Sequence, residues 1–161
     1  MSKSIKQDVI NAIKSVFDEK EFIYTYDEER SRFLIGFSLN ATIDSTRIVF
    51  LVKEEYYVAY ATVNLAANKN IDQVYEFVSR ANSGILNGNF ELDSKTGNIR
   101  YKIFVEFGDQ IPSKTTILHT INIAVTMVEL YIDGLLKVIT GAASAQVAIN
   151  EIEHRPGDKE L

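Results

Sequence analysis

The stretch NFELDSKTGNIRYKIFVEF, Asn89 to Phe107, alternates apolar and polar residues on both sides of a short polar segment. Successive strand side chains point to opposite faces, so alternation with a period of two predicts half-buried strands, and two such runs around a turn predict a β-hairpin. The register is determinate. A four-residue loop, Ser94 to Gly97, sets Leu92 opposite Ile99, Phe90 opposite Tyr101 and Glu91 opposite Arg100. A three-residue loop would set Leu92 against Arg100 and wet the dry face, so the longer loop is favoured. The dry face then carries Phe90, Leu92, Ile99, Tyr101, Ile103, Val105 and Phe107. Such a face needs a cover from elsewhere in the chain.

The remaining sequence offers covers and more strands. A helix is predicted from about Lys3 to Lys20, with Ser4 and Gln7 at capping-box spacing and Ile5, Val9, Ile13, Val16 and Phe17 on one face. Phe22, Tyr24 and Tyr26 then alternate. A polar turn at Asp27 to Arg30 follows, and Phe33, Ile35, Phe37 and Leu39 alternate again. That turn sets Tyr24 against Phe33 and Phe22 against Ile35. A second hairpin spans Thr46 to Leu65, with Glu54 and Glu55 at its tip. A helix then starts at Asn70 as N-cap, buries Ile71, Val74, Tyr75 and Val78, and stops at Asn82-Ser83-Gly84 with the glycine as a left-handed cap.

After the Asn89–Phe107 hairpin comes the longest element. Ser113 is its expected N-cap. Ile117, Ile121, Val125, Val128, Ile132, Leu135 and Ile139 recur at helical spacing, Gly134 marks a bend or an end, and Gly141 stops it. A short helix over Ser144 to Glu153 and a polar tail, residues 155–161, complete the chain. The order α-ββ-ββ-α-ββ-α-α brings strands in as hairpins. It predicts an α+β fold with a mostly antiparallel sheet and helices on one face, the long helix and the first helix roofing the Asn89–Phe107 hairpin. At 161 residues the chain fits one domain, residues 1–154, with the tail beyond it.

Composition narrows function by exclusion. The formal charge of −5, with no Lys/Arg stripe, opposes nucleic-acid binding and adsorption to anionic membranes. Cysteine is absent, so disulfides, thiolate metal sites and cysteine nucleophiles are excluded. The N-terminal MSKSIKQDVINAIKSVF is broken by charge and does not read as a signal peptide. Ile117 to Ile139 contains His119, Asn122, Glu129, Asp133 and Lys137, too polar for a span. A cytoplasmic protein is expected. The sequon at Asn40-Ala41-Thr42 and the terminal DKEL read as chance matches.

Catalytic constellations do not emerge. His119 and His154 have no His-x3-His or Glu-x-x-His partner, so neither predicts a metal ligand. Asp27-Glu28-Glu29 and Glu54-Glu55 fall at hairpin tips, where acids are solvated turn residues rather than an acid–base pair held in a cleft. No Gly-x-Ser-x-Gly elbow occurs, and Gly84, Gly88 and Gly97 are spaced for a helix stop and turns rather than a phosphate loop. No cofactor is expected.

The segments SRANSGILNGNFELDSKTGNIRYKIFVEF and TMVELYIDGLLKVITGAASAQVAINEIE resemble the YbjN-type domain, through Ala-Asn, a Gly-Asn-Phe-Glu-Leu-Asp strand, a Gly turn, Ile-Arg-Tyr-Lys, and a Leu-Leu-x-Val-Ile-x-Gly helix end. The resemblance covers about the last half of the chain; the first half matches in element order. It implies a fold similar to that of type III secretion chaperones, which are small acidic dimers. It also implies a non-catalytic bacterial cytoplasmic protein, of a family labelled as sensory transduction regulators. It carries no site residues.

One hairpin breaks the expected alternation. Ile48, Phe50, Val52, Tyr57, Ala59, Ala61 and Val63 make one apolar face of Thr46–Leu65, but Val49, Leu51, Val58 and Tyr60 make the other face apolar as well. An antiparallel sheet with one wet face should be polar at those positions. Either another part of the chain covers them, or they form a contact surface. Val49, Leu51, Val58 and Tyr60 are therefore the candidate interface of a homodimer that binds a further, unidentified protein, chaperone-like or regulatory. The alternative is a small-molecule sensor with a pocket between the sheet and the long helix.

Overall fold

The computed structural model describes residues 5–154. In chain order the elements are α1 (Ile5–Glu19), β1 (Tyr24–Asp27), β2 (Arg32–Ser38), β3 (Ser45–Val52), β4 (Tyr56–Ala66), α2 (Ile71–Gly84), β5 (Asn89–Leu92), β6 (Asn98–Glu106), α3 (Lys114–Thr140) and α4 (Ala145–Glu153). The fold is α+β. The strands form one six-stranded open sheet, ordered β1-β2-β3-β4-β6-β5, in which every neighbouring pair is antiparallel.

The helices gather on one face. Phe33, Ile35, Ile48, Phe50, Val52, Tyr57, Ala59, Ala61, Ile99, Tyr101 and Ile103 all point to it and all are buried. α3 crosses β3, β4 and β6 on this side. Its 27 residues reach about 40 Å at the usual rise, enough to cross the whole sheet. Ser113 caps it by accepting from the Thr116 N–H, and Gly141, at φ 78°, closes it in the left-handed conformation. Where α3 meets β4, the Tyr57 hydroxyl and Thr120 Oγ1 satisfy each other at 2.8 Å inside the core.

The first helix lies elsewhere than expected. α1 sits over the β1–β3 end of the sheet, because Phe17 packs its ring against Phe22, Tyr24, Phe33 and Phe50. The β5–β6 hairpin is roofed by α3 together with α2. That hairpin has the expected register, Leu92 opposite Ile99 and Phe90 opposite Tyr101. Its loop is fixed by a close approach. Gly97 stands at φ +73°, and a Cβ there would come within 2.4 Å of the Ala67 carbonyl oxygen. The Ala67 N–H donates to the Gly97 carbonyl at 2.8 Å. Gly97→Ala is expected to cost about 2 kcal/mol or more in urea denaturation, since it adds left-handed strain to a backbone clash.

Several local expectations are corrected. Tyr24 pairs with Ile35 and Tyr26 with Phe33, two residues out of the expected register, because Asp27 pairs with Arg32 and the turn is 28–31. A shift of two keeps every side chain on its face, so alternation cannot detect it. Asn70 is the N-cap residue of α2, its carbonyl accepting from the Val74 N–H at 3.0 Å, but it stands in the left-handed region and its side chain makes no capping bond. Its amide donates instead to the carbonyls of Val138 and Ile139, at the end of α3. Gly84 lies inside α2, and the chain leaves in extended form at Ile85. The buried face of α2 is Val74, Phe77 and Ala81, with Ile71 and Tyr75 exposed. Gly134 does not end α3, which runs unbroken through it, and it lets α4 close in, since a Cβ there would lie 2.7 Å from Ile152 Cδ1. The Ser4 cap and the tail lie outside the described residues.

The two borders of the sheet differ. On the outer side of β5 the Asn82 side chain, from α2, accepts from the Phe90 N–H at 2.8 Å and donates to the Phe90 carbonyl at 3.0 Å. β1 forms the opposite border.

Candidate functional site

The face of the sheet turned away from the helices is built by the residues between the core positions. Lateral pairing sorts them into rows. One row runs Asp27, Arg32, Leu51, Val58, Phe104; the next runs Thr25, Leu34, Val49, Tyr60, Lys102, Asn89; the third runs Gly36, Arg47, Thr62, Arg100, Glu91. Tyr56 pairs with Glu106 beyond the first row. Val49, Leu51, Val58 and Tyr60 therefore form a square at the centre, and all four are half-buried. None of the four belongs to the core cluster or packs against it, and the buried sheet residues of that cluster point the other way.

The apolar area extends past those four residues. Leu34 is 36% exposed, Phe104 is 53% exposed, and the Phe104 ring lies 4.9 Å from that of Tyr56. Sequence reasoning missed these three. The signal was present: Leu34 and Phe104 are apolar at positions that alternation assigns to water, beside Phe33, Ile35 and Ile103.

Charge rims the patch. Asp27 binds Arg30 at 2.9 Å and Arg32 at 3.5 Å. On the other flank Glu91 takes Arg100 at 2.7 Å and also Lys102, while the Arg100 guanidinium lies 4.0 Å over the Tyr60 ring. Partial burial works to raise the Glu91 carboxyl. The hydrogen bonds and charges of Lys102 and Arg100 outweigh it, so the group sits below its ordinary value of 4.5. A carboxyl lowered by folding adds stability above its unfolded value, and that stability is lost as pH falls through the folded one. The urea midpoint is thus expected to drop below pH 4.5, and Glu91→Gln to flatten that part of the profile.

At the same flank β4 carries extra residues. Thr62 pairs with Arg100 but Ala66 pairs with Asn98, so four steps of β4 match two of β6. The bulge opens a cleft of about 850 Å³, lined by Arg47, Thr62, Asn64, Asp93, Asn98 and Arg100 among others. Asp93 is occupied by its own turn, accepting from the Lys95 and Thr96 amides, which hold its carboxyl below the usual range. Among the described residues Arg47 has no ionic partner. Between the sheet and the middle of the long helix the space is filled, the cavity lined by Ala61, Phe90, Val128 and Leu135 measuring about 10 Å³, and an open hollow of about 330 Å³ lies where β6 leaves the sheet, lined by Val105, Phe107, Gln110, Pro112 and Thr116 at the start of α3.

The other residues singled out by sequence lie apart from this face. His119 is exposed on α3, and His154 Nδ1 stands 3.1 Å from the Asn150 carbonyl at the end of α4. Glu28, Glu29, Glu54 and Glu55 are exposed at the hairpin tips. Among the described residues no group of three or more His, Cys, Asp or Glu is placed to hold a metal, and no helix is long and apolar enough to cross a membrane. No protein-family model matches the chain, and neither does a curated protein or a solved structure.

Proposed function

We propose that this chain is a non-catalytic protein-interaction module of the YbjN type, cytoplasmic, and active as a homodimer that contacts a further protein in a chaperone-like or regulatory role. The observation that carries the reading is the open face of the sheet. Seven apolar side chains, Leu34, Val49, Leu51, Tyr56, Val58, Tyr60 and Phe104, lie together there, half-buried or exposed. A contiguous apolar patch rimmed by ion pairs is the usual form of a contact surface.

The occupant proposed for this face is a second copy. Six strands at the usual spacing and about 20 Å of strand length give on the order of 500 Å² of face per copy. Two copies would bury on the order of 1,000 Å², the low end for specific assemblies, so a dimer of micromolar strength is expected. The sensor alternative finds a void of about 10 Å³ under the middle of the long helix, far below the size of a ligand site, and at its start an open hollow of about 330 Å³ rather than an enclosed pocket. Light scattering on a size-exclusion column, across the micromolar range, tests the reading. A doubling of mass with concentration is expected. A chain that stays single at the highest concentration rules the homodimer out.

A further inference from the structure

We infer that the two open faces meet with their strands antiparallel, so that the acidic β3–β4 turn of each copy enters the bulge cleft of the other. This rests on the homodimer reading and adds its orientation. The sheet is electrically lopsided along its strands. The β1–β2 turn, the β3–β4 turn and the exit of β6 lie at one end, where Glu28, Glu29, Glu54, Glu55, Glu106 and Asp109 outnumber the bases. The β4 bulge and the β5–β6 turn lie at the other end, where Arg47, Lys95, Arg100 and Lys102 are offset by Asp44, Glu91 and Asp93, which leaves it slightly basic with Arg47 as the uncompensated cation.

A face-to-face pair with a two-fold axis has two simple settings. An axis along the strands stacks like ends, acid over acid and Arg47 near the partner's Arg47. An axis across the strands, level with Phe50 and Ala59, stacks opposite ends. Leu51 then lies over the partner's Val49 and Val58 over the partner's Tyr60, so the apolar rows cover each other within the modest twist of aligned sheets. In the same setting Tyr56 lies over the partner's Thr62, Lys53 comes level with the partner's Arg47, and the tip of the β3–β4 turn, Glu54 and Glu55, projects one step further over the cleft. Among the described residues Arg47 and Glu55 each lack an ionic partner within the chain, and this arrangement brings Glu55 to within one residue step of the partner's Arg47, where it outreaches Lys53. Like-charge juxtaposition disfavours the alternative and opposite charge fixes the register.

The absence of cysteine makes the test clean. Tyr56 and Thr62 lie about 20 Å apart on one strand, beyond disulfide reach within a chain. The Tyr56→Cys/Thr62→Cys double variant is expected to form covalent dimers with a short bismaleimide, and neither single variant is. Cross-linking of Tyr56→Cys alone, or a light-scattering dimer whose double variant does not cross-link, overturns the orientation and leaves the dimer standing. A monomeric chain overturns both. Arg47→Glu is expected to weaken the dimer about tenfold, and Arg47→Glu with Glu55→Arg to restore it. Failure of the swap to restore a dimer overturns the Arg47–Glu55 pairing. Both positions are exposed, so circular dichroism should report an unchanged fold.

Discussion

Leu51→Asp is expected to leave the chain folded and monomeric. Leu51 sits at the centre of the open face, between Arg32 on β2 and Val58 on β4, and is half-buried by those neighbours alone. In the single chain the carboxylate keeps its outer side in water and has Arg32 beside it. The cost to folding should be about 1 kcal/mol, the size of an unfavourable strand propensity. In the proposed dimer the same carboxylate would lie under an apolar row with no partner, at a cost of several kcal/mol that should weaken association a hundredfold or more. Analytical ultracentrifugation reads the association and urea denaturation reads the fold. A variant that dimerises as tightly as the parent would place the contact on another surface.

Phe17→Ala carries the largest expected loss of stability. The ring is fully buried and stands edge-on to four others: Phe22 at 5.9 Å, Tyr24 at 5.2 Å, Phe33 at 5.6 Å and Phe50 at 5.6 Å. It is the side chain through which α1 holds the β1–β3 end of the sheet. Truncation removes the ring's burial and leaves a cavity that three strands and a helix cannot all close, at about 3–5 kcal/mol. Against a total of about 5–15 kcal/mol this brings a domain of this size near its limit, with a fall of roughly 10 °C in Tm. Ile23→Ala, at a side chain 92% exposed, should change little. A loss under about 1 kcal/mol for Phe17→Ala would mean that α1 is held by other contacts.

The elements were legible because their periods are strong. Alternation sorted Ile48, Phe50, Val52, Tyr57, Ala59 and Ala61 to the core face, and the Phe90–Tyr101 register followed from keeping one face dry. What alternation cannot carry is a shift of two, and the β1–β2 pairing slipped by that amount. Nor does helical spacing choose between overlapping stripes. On α2, Ile71-Val74-Tyr75-Val78 and Val74-Phe77-Ala81 are both apolar, and the arrival of α4 and β5 selects the second. Asn70 shows the same limit, since its amide serves α3, which lies almost 70 positions away at Ile139. The candidate face was half legible. Four of its apolar residues showed in a single hairpin, whereas Leu34 and Phe104 needed the strand order to join them. The cleft depended on where β4 gains residues over β6, which no local pattern encodes.

Asn82 has a consequence for how large an aggregate of this chain can become. Its side-chain amide occupies the outward N–H and carbonyl of Phe90 with the same two bonds an incoming strand would make. Recruitment at Phe90, inside the four-residue β5, is blocked, which leaves β1 as the more open flank for docking by main-chain pairing. Fibre elongation needs a donor side and an acceptor side on every unit. A molecule with one obstructed flank joins a neighbour through the other and extends poorly from there, so misassembly of this kind favours pairs over filaments.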